Sequence, residues 1–367
     1  MVIDPKDAKW DEIVEEHRLM DRIQVEVDST EIACQITEKL CDAYTFISFN
    51  PNTPNSYLSA QNRLGISLKK ERETIYSKEY FSEMNYIGEV VYCRNAYFVY
   101  NYKPGRILRK NEDSEDPSVW WDRRRIRSSG SRNKVIRANR EQTALVVNLD
   151  GDELVVVEVK DDGDAGRELV IKNESGSAVD CHEALKGNLV LTVNKKGLMQ
   201  IYEVDYQGFS ESRQLESAQV PLESGRYQSH FWLAICEKSK ICAVQEDCDS
   251  RAPKIILYSL RDEENNTRLS ILTELSVYSW NVKSLGNGCF SPYIGDNLIL
   301  CAHDDSNQTV YAFGYDLEKN KLTQVYSKCI RVGKYCWKLS RVGNQVCGII
   351  SDAGLILRFK FNIVVPV

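Results

Sequence analysis

Apolar and polar positions alternate in short runs along the whole chain, and seven of these runs are strong enough to predict β-strands. They are Ala43–Phe49, Ala96–Tyr102, Glu153–Val159, Leu198–Val204, Lys254–Leu260, Thr309–Tyr315 and Leu355–Phe361. A second apolar run and a turn precede each of the best-formed ones. Asn344–Ile350 passes through SDAG into Leu355–Phe361, and Leu189–Val193 passes through NKKG into Leu198–Val204. Residues of this kind supply the positive φ and the local side-chain hydrogen bonds of tight hairpins. Further runs predict a flanking strand on each side. Arg106–Arg109, Glu168–Lys172, Arg268–Thr273 and Lys321–Tyr326 read as fourth strands, and Lys134–Arg137 and Ser229–Cys236 as first strands.

The unit recurs at intervals of roughly fifty residues, the scale of a propeller blade. A single four-stranded sheet leaves two edges and a face uncovered, so such units become stable by stacking around an axis. The expected fold is all-β: a seven-bladed β-propeller of four-stranded antiparallel blades over residues 22–367. The alternating run Arg22–Val27 precedes a first hairpin expected from Glu31–Thr37, and is expected to complete the last blade and close the ring. Before it, residues 1–21 read as a helical extension, because Trp10, Ile13, Val14 and His17 in Pro5–Met20 share a helical spacing.

From Arg22 to Val367 the chain resembles a divergent WD-repeat propeller. At the ends of the seven strands, where that family places Trp-Asp, stand Phe49-Asn50, Tyr102-Lys103, Val159-Lys160, Val204-Asp205, Leu260-Arg261, Tyr315-Asp316 and Phe361-Asn362. Two keep the aspartate and none the tryptophan. Trp121-Asp122 is read as lying outside those third strands. The resemblance implies a scaffold that presents loops to other proteins.

Composition narrows the function. The 367 residues are 43% hydrophobic and 27% charged, with a formal net charge of −6, so a nucleic-acid role would have to sit in a local patch. The N-terminus lacks the apolar core of a secretory signal, and no run approaches 18 apolar residues. The expectation is a cytoplasmic or nuclear protein with no membrane partner. Twelve cysteines without a single C-x-x-C are expected to be free thiols rather than zinc ligands, and no cofactor is expected.

Catalytic motifs are missing, and the four histidines are scattered. His182 beside Cys181 reads as structural, and His303-Asp304-Asp305 as a solvated turn. An enzyme with an axial site is therefore the last of three readings, and a non-enzymatic protein is expected.

The strongest local feature is WWDRRRIRSSGSRNKVIRANR. Trp120 and Trp121 run into Arg123, Arg124, Arg125, Arg127 and Arg132, after the acidic stretch Glu112–Asp116. Gln61–Tyr86, read as a long connection between blades, carries Lys69, Lys70 and Arg72, and is expected on the same face. Guanidinium forks bind carboxylate or phosphate bidentately while indoles bury contact area. The first reading is a scaffold or complex subunit that binds an acidic or phosphorylated protein segment there. RNA binding by the same face is the alternative. The plain reading has the arginines paired with Glu112–Asp116 and the tryptophans sealing a gap between blades. Ser128, Ser129 and Ser131 could take phosphates that cancel part of the charge. The opposite face is expected to be acidic, through turns containing Asp161, Asp162, Asp164, Asp205, Asp262, Glu263, Glu264, Asp316 and Glu318.

Overall fold

The structure is a computed structural model. It describes residues 24–33, 45–50, 56–61, 65–70, 73–79, 87–101, 105–114, 116–122, 136–148, 153–173, 176–222, 229–236, 241–247, 254–263, 266–276, 293–294, 299–304, 309–316, 321–329, 337–342, 345–350 and 355–364. The expected N-terminal helix lies outside these. Every regular element among the described residues is a strand, and none of their segments is a helix long and apolar enough to cross a membrane.

The strands form four-stranded antiparallel sheets. In the first, β2 (Thr45–Phe49), β3 (Ser56–Gln61), β4 (Gly65–Lys70) and β5 (Glu73–Glu79) lie side by side. The second holds β6 (Ile87–Cys93), β7 (Ala96–Asn101), β8 (Arg106–Asn111) and β9 (Ser118–Asp122). The third holds β10 (Ile136–Ala138), β11 (Ala144–Asn148), β12 (Glu153–Val159) and β13 (Ala165–Lys172). β14 (Val179–Leu185), β15 (Leu189–Asn194), β16 (Leu198–Val204) and β17 (Ser212–Gln219) make the fourth. The fifth consists of β18 (His230–Cys236), β19 (Ile241–Asp247), β20 (Lys254–Glu263) and β21 (Asn266–Ser276). The sixth consists of β22 (Tyr293–Ile294), β23 (Ile299–Asp304), β24 (Thr309–Asp316) and β25 (Lys321–Cys329). In the last, β26 (Trp337–Val342), β27 (Gln345–Ile350) and β28 (Leu355–Val364) are joined by β1 (Gln24–Ala33), which pairs with β28 from Gln24↔Val364 to Ala33↔Leu355. The chain divides into two compact units. Sheets one to four fall in Lys39–Pro221, joined by Arg226–Phe231; the other unit is Met1–Glu38, Leu222–Gly225 and Trp232–Val367.

Five of the seven predicted strands are third strands, as expected: β12, β16, β20, β24 and β28. The first two are displaced. Thr45–Phe49 is the first strand of its sheet and Ala96–Asn101 the second, so Arg106–Asn111 becomes a third strand and Ser118–Asp122 the fourth. Gln61–Tyr86 is not a long connection, because it contains β4 and β5. Glu31 likewise does not open a hairpin; it continues β1 to Ala33.

The continuous apolar strands owe their composition to burial on both faces. In β7, Phe98 and Tyr100 pack toward the third sheet with Leu145, Val147, Val155 and Val157, whereas Tyr97 and Val99 pack toward the first with Leu58 and Leu68. β11 and β12 repeat the device. Leu145, Val147, Val155 and Val157 face the second sheet, and Ala144, Val146, Leu154 and Val156 face the fourth. Burial of each Val, Leu or Phe contributes about 1.5–3 kcal/mol.

Fourth strands share a subtler repeat. Relative to the third strand, each of five sheets inserts one extra residue in the fourth: Ile75, Trp120, Leu215, Leu272 and Val325. All five are apolar. Such bulges bend an outer strand and sharpen its twist. Tight turns have the predicted chemistry. Arg94 (φ 45°) and Asn95 (φ 62°) form the two-residue turn between β6 and β7, and Asn194 Oδ1 accepts the N–H groups of Lys196 and Leu198 in NKKG.

Candidate interaction surface

In sheets one to four, the turns after first and third strands share one edge, the near edge. The turn after the second strand and the passage to the next sheet share the other, the far edge. β9 therefore runs from near to far, ending at Asp122, which pairs with Arg106 at 3.0 Å. Its two indoles are buried, with 9% of Trp120 and 6% of Trp121 exposed. Trp120 packs edge-on to Phe98 at 4.8 Å and donates Nε1–H to Gly163 O at 2.8 Å, while Trp121 donates to Glu168 Oε1 at 2.7 Å. Trp121-Asp122, expected outside the third strands, lies in the fourth strand of its sheet. Both rings are taken up by the seal between the second and third sheets.

The near edge carries a polar cleft of ≈ 710 Å³. Its floor is the β8–β9 turn, braced from beneath by the fully buried Lys110, whose Nζ donates to Asn111 O at 2.7 Å and Ser114 O at 2.5 Å. Burial lowers the pKa of this ammonium, while Asp113, Asp116 and Glu112 act the other way. Glu112 joins the turn to the first sheet, accepting from Asn50 Nδ2 at 2.8 Å and Ser56 Oγ at 2.9 Å. On the other side two arginines grip the β12–β13 turn. Arg94 donates to Val159 O and to Asp161, and Arg109 donates to Asp162 O at 2.9 Å, its guanidinium lying over Gly163.

The third sheet holds the fourth in the same manner. Arg167 donates to Gln207 O at 2.9 Å and Gly208 O at 3.1 Å, covers the Phe209 ring at 5.0 Å, and pairs with Glu158. The Arg167 hydrogen bonds hold the Glu158 carboxyl down at about 2. Asp205 shapes the gripped turn by accepting from Gln207 N, Gly208 N and Ser210 Oγ, and the Gly208 and Ser210 bonds lower its pKa. The acidic turn residues described here are thus turn-formers and clamp partners.

First strands are linked by charge. Arg137 of β10 bridges Glu89 of β6 at 2.6 Å and Glu183 of β14 at 3.0 Å, and Glu89 also accepts from Ile136 N. Burial alone would weaken the Arg137 cation, but Glu183 and Glu89 outweigh it and raise its pKa. Beside them His182 is buried, with Nε2 3.0 Å from Val146 O. Burial, followed by the repulsion of Arg137, holds the imidazole down at about 4 and hence neutral near pH 7. Asp180 accepts from Phe231 N at 2.6 Å. Cys93, Cys181 and Cys242 are buried free thiols, and burial pushes Cys93 up to about 12. No three His, Cys, Asp or Glu among the described residues converge where they could hold a metal.

The expected site residues separate. Lys69 and Lys70 end β4 at the near edge, Lys70 standing opposite Ser56, whereas the chain leaves β9 toward Arg123 at the far edge. Arg72, Arg123, Arg124, Arg125, Arg127 and Arg132 lie outside the described residues. His303 and Asp304 belong to β23 rather than to a turn. Sequence reasoning did not find Glu89, Arg137, Arg94 or Arg109. The available signal was a charge inside an apolar strand, as in IGEVVYC.

No family model matches the chain, and no curated protein does. Solved structures do. The Swd1 (Cps50) β-propeller domain of Myceliophteria thermophila aligns with a TM-score of 0.58 at 10% identity, over 91% of this chain and 100% of that one. The chain is a β-propeller. Raptor of Chaetomium thermophilum aligns with this propeller at a TM-score of 0.64 and 10% identity, over 97% of this chain and 31% of that one. BamB of Moraxella catarrhalis aligns at 0.52 and 10%, over 86% and 82%. At such identities the likeness is one of fold.

Proposed function

We propose that this propeller is a non-enzymatic protein-interaction scaffold whose Arg123–Arg132 segment receives an acidic or phosphorylated segment of a partner protein in the cytoplasm or nucleus. The blades number seven, and β1 beside β28 closes the ring. The observation that carries the reading is the fixed position of β9, which the arginine run follows in sequence. That strand ends at the far edge at Asp122, and its two indoles are locked into the blade seal. The buried indoles take no part. A guanidinium cluster on such a base binds planar oxyanions by paired hydrogen bonds.

The test is affinity purification of the protein and of a variant carrying Arg123→Glu, Arg124→Glu, Arg125→Glu and Arg127→Glu, with mass spectrometry and RNA recovery from both. The reading predicts loss of a defined set of proteins at unchanged RNA. An unchanged protein set would overturn it, and loss of RNA alone, with binding steeply salt-dependent, would transfer the segment to nucleic acid.

A further inference from the structure

We infer that the near-edge cleft is a second binding site, which takes a basic segment of a partner protein with an arginine side chain set against Glu112 and Asp113. This site goes beyond the reading above and uses none of the far-edge arginines.

The cleft is bounded by the first three sheets and so lies inside one of the two compact units. Its volume of ≈ 710 Å³ is that of an ordinary ligand cleft, ample for one side chain and the backbone around it. The walls are set from within. Lys110 fixes the floor turn from beneath, Glu112 ties that turn to Asn50 and Ser56 of the first sheet, and Arg94 and Arg109 fix the opposite wall on the β12–β13 turn. A ligand meets a formed surface, so little ordering opposes binding.

The hydrogen-bond inventory selects the occupant. Five charged side chains line the cleft, and the two cations among them, Arg94 and Arg109, are already engaged. Arg109 donates Nε–H to Asn111 Oδ1 at 3.0 Å, Nη1–H to Asp164 at 3.4 Å and Nη2–H to Asp162 O, while Arg94 places its two terminal nitrogens on Val159 O and Asp161. The carboxylates keep capacity. Glu112 anchors its turn through Oε1 alone, and among the described residues neither its Oε2 nor the exposed carboxylate of Asp113 accepts a hydrogen bond. An anion would have to break the arginine bonds and approach Asp161, Asp162 and Asp164, all exposed on one turn. A cation meets the remaining acceptors directly.

Two amides make that cation part of a peptide. Asn95 and Asn111 each use Oδ1 within the protein, for Tyr92 OH at 3.4 Å and for Arg109 Nε, and among the described residues their Nδ2 groups donate to none. A bare metal or ammonium ion would leave these donors unanswered, whereas a peptide brings carbonyl oxygens beside its charged side chain. Guanidinium suits the floor best, because its planar fork pairs with carboxylate oxygens through two parallel hydrogen bonds.

Fluorescence anisotropy of the full chain with two labelled dodecapeptides of one Gly-Ser frame, one carrying two arginines and the other uncharged, tests this. The arginine peptide is expected to bind in low salt with a Kd at or below about 1 mM, and the uncharged one not to bind. Because the chain has a formal net charge of −6, a basic peptide is also drawn to it non-specifically. Two variants with the same change in charge separate site from field. Asp113→Asn in the cleft is expected to weaken the arginine peptide about fivefold, and Asp122→Asn at the far edge to alter it by less than about 1.5-fold. The Asp113→Asn protein is expected to melt with the wild type, since the carboxylate accepts no hydrogen bond that the fold uses. Failure of the arginine peptide to bind, equal binding of the uncharged peptide, or equal effects of the two substitutions would each overturn the inference. If the peptide behaves as expected while the four-arginine reversal leaves the co-purifying proteins unchanged, the cleft stands and the reading above fails. If the reversal loses its proteins while the peptide does not bind, only the cleft is lost.

Discussion

The seam between the second and third sheets and the seam between the third and fourth are built on one plan with different fillings. Each is clamped at the near edge by arginine: Arg109 holds the β12–β13 turn and Arg167 the β16–β17 turn, both by carbonyl oxygens. The first seam is then closed by Trp120 against Phe98 and by Trp121. The second is closed by Val146, Val156, Val190 and Leu154, with Tyr206 and Phe209, and is crossed by two buried polar links, His182 to Val146 O and Asn148 Nδ2 to Val179 O. What repeats is the position of the turn and the clamp, while the side chains that fill the space vary. A propeller can therefore hold this geometry without Trp-Asp dipeptides at the ends of its third strands.

The aromatic seam gives the largest expected effect. Trp120→Ala removes the bulge residue, its contact with Phe98 and its bond to Gly163, and is expected to cost about 3–5 kcal/mol in denaturant unfolding. A cost near that of an exposed substitution would mean that the indole is not the seal.

The polar seam is expected to respond to acid where the aromatic one does not. His182 sits at about 4 when folded, below its ordinary 6.5. Between these values the unfolded chain binds a proton that the folded chain refuses, so stability falls as pH drops from 6.5 toward 4 and this contribution is spent below 4. Glu183, Glu89 and Arg137 face the imidazole, and the window lies above that of Glu158, which titrates at about 2. His182→Gln is expected to flatten the melting-temperature profile over this range. An unchanged slope would assign the acid sensitivity elsewhere.

A smaller effect separates the clamps from the fillings. Gly163 has φ +82°, and a methyl group there would collide with the Arg109 guanidinium. Gly163→Ala is expected to cost about 1–2 kcal/mol through backbone strain, and to release Arg109. Arg109→Gln should reproduce the released clamp without the strain. Equal losses in the two variants would mean that strain contributes nothing.

The same comparison explains how much was legible in advance. β12, β16, β20, β24 and β28 were legible because residues buried on both faces give long apolar runs. The first two sheets slipped by one or two strands, because β4 (GISLKK) and β5 (ETIYSKE) hold only two apolar residues each among polar ones and read as connection. That slip turned Lys69 and Lys70, which end a third strand, into residues of a loop. The indoles were legible as a blade seal, but their hydrogen bonds to Gly163 and Glu168 join residues more than forty positions apart. The Glu89–Arg137–Glu183 bridge crosses three sheets, and no linear spacing encodes it.

The central claim divides labour along one short stretch: Trp120 and Trp121 hold the fold, and the arginines that follow them meet partners. The melting temperature of the Arg123→Glu, Arg124→Glu, Arg125→Glu, Arg127→Glu protein tests it most directly. The account predicts a value within a degree or two of wild type, as for substitutions that touch no buried group. A fall comparable to that of Trp120→Ala would contradict it and return the arginines to the interior of the fold.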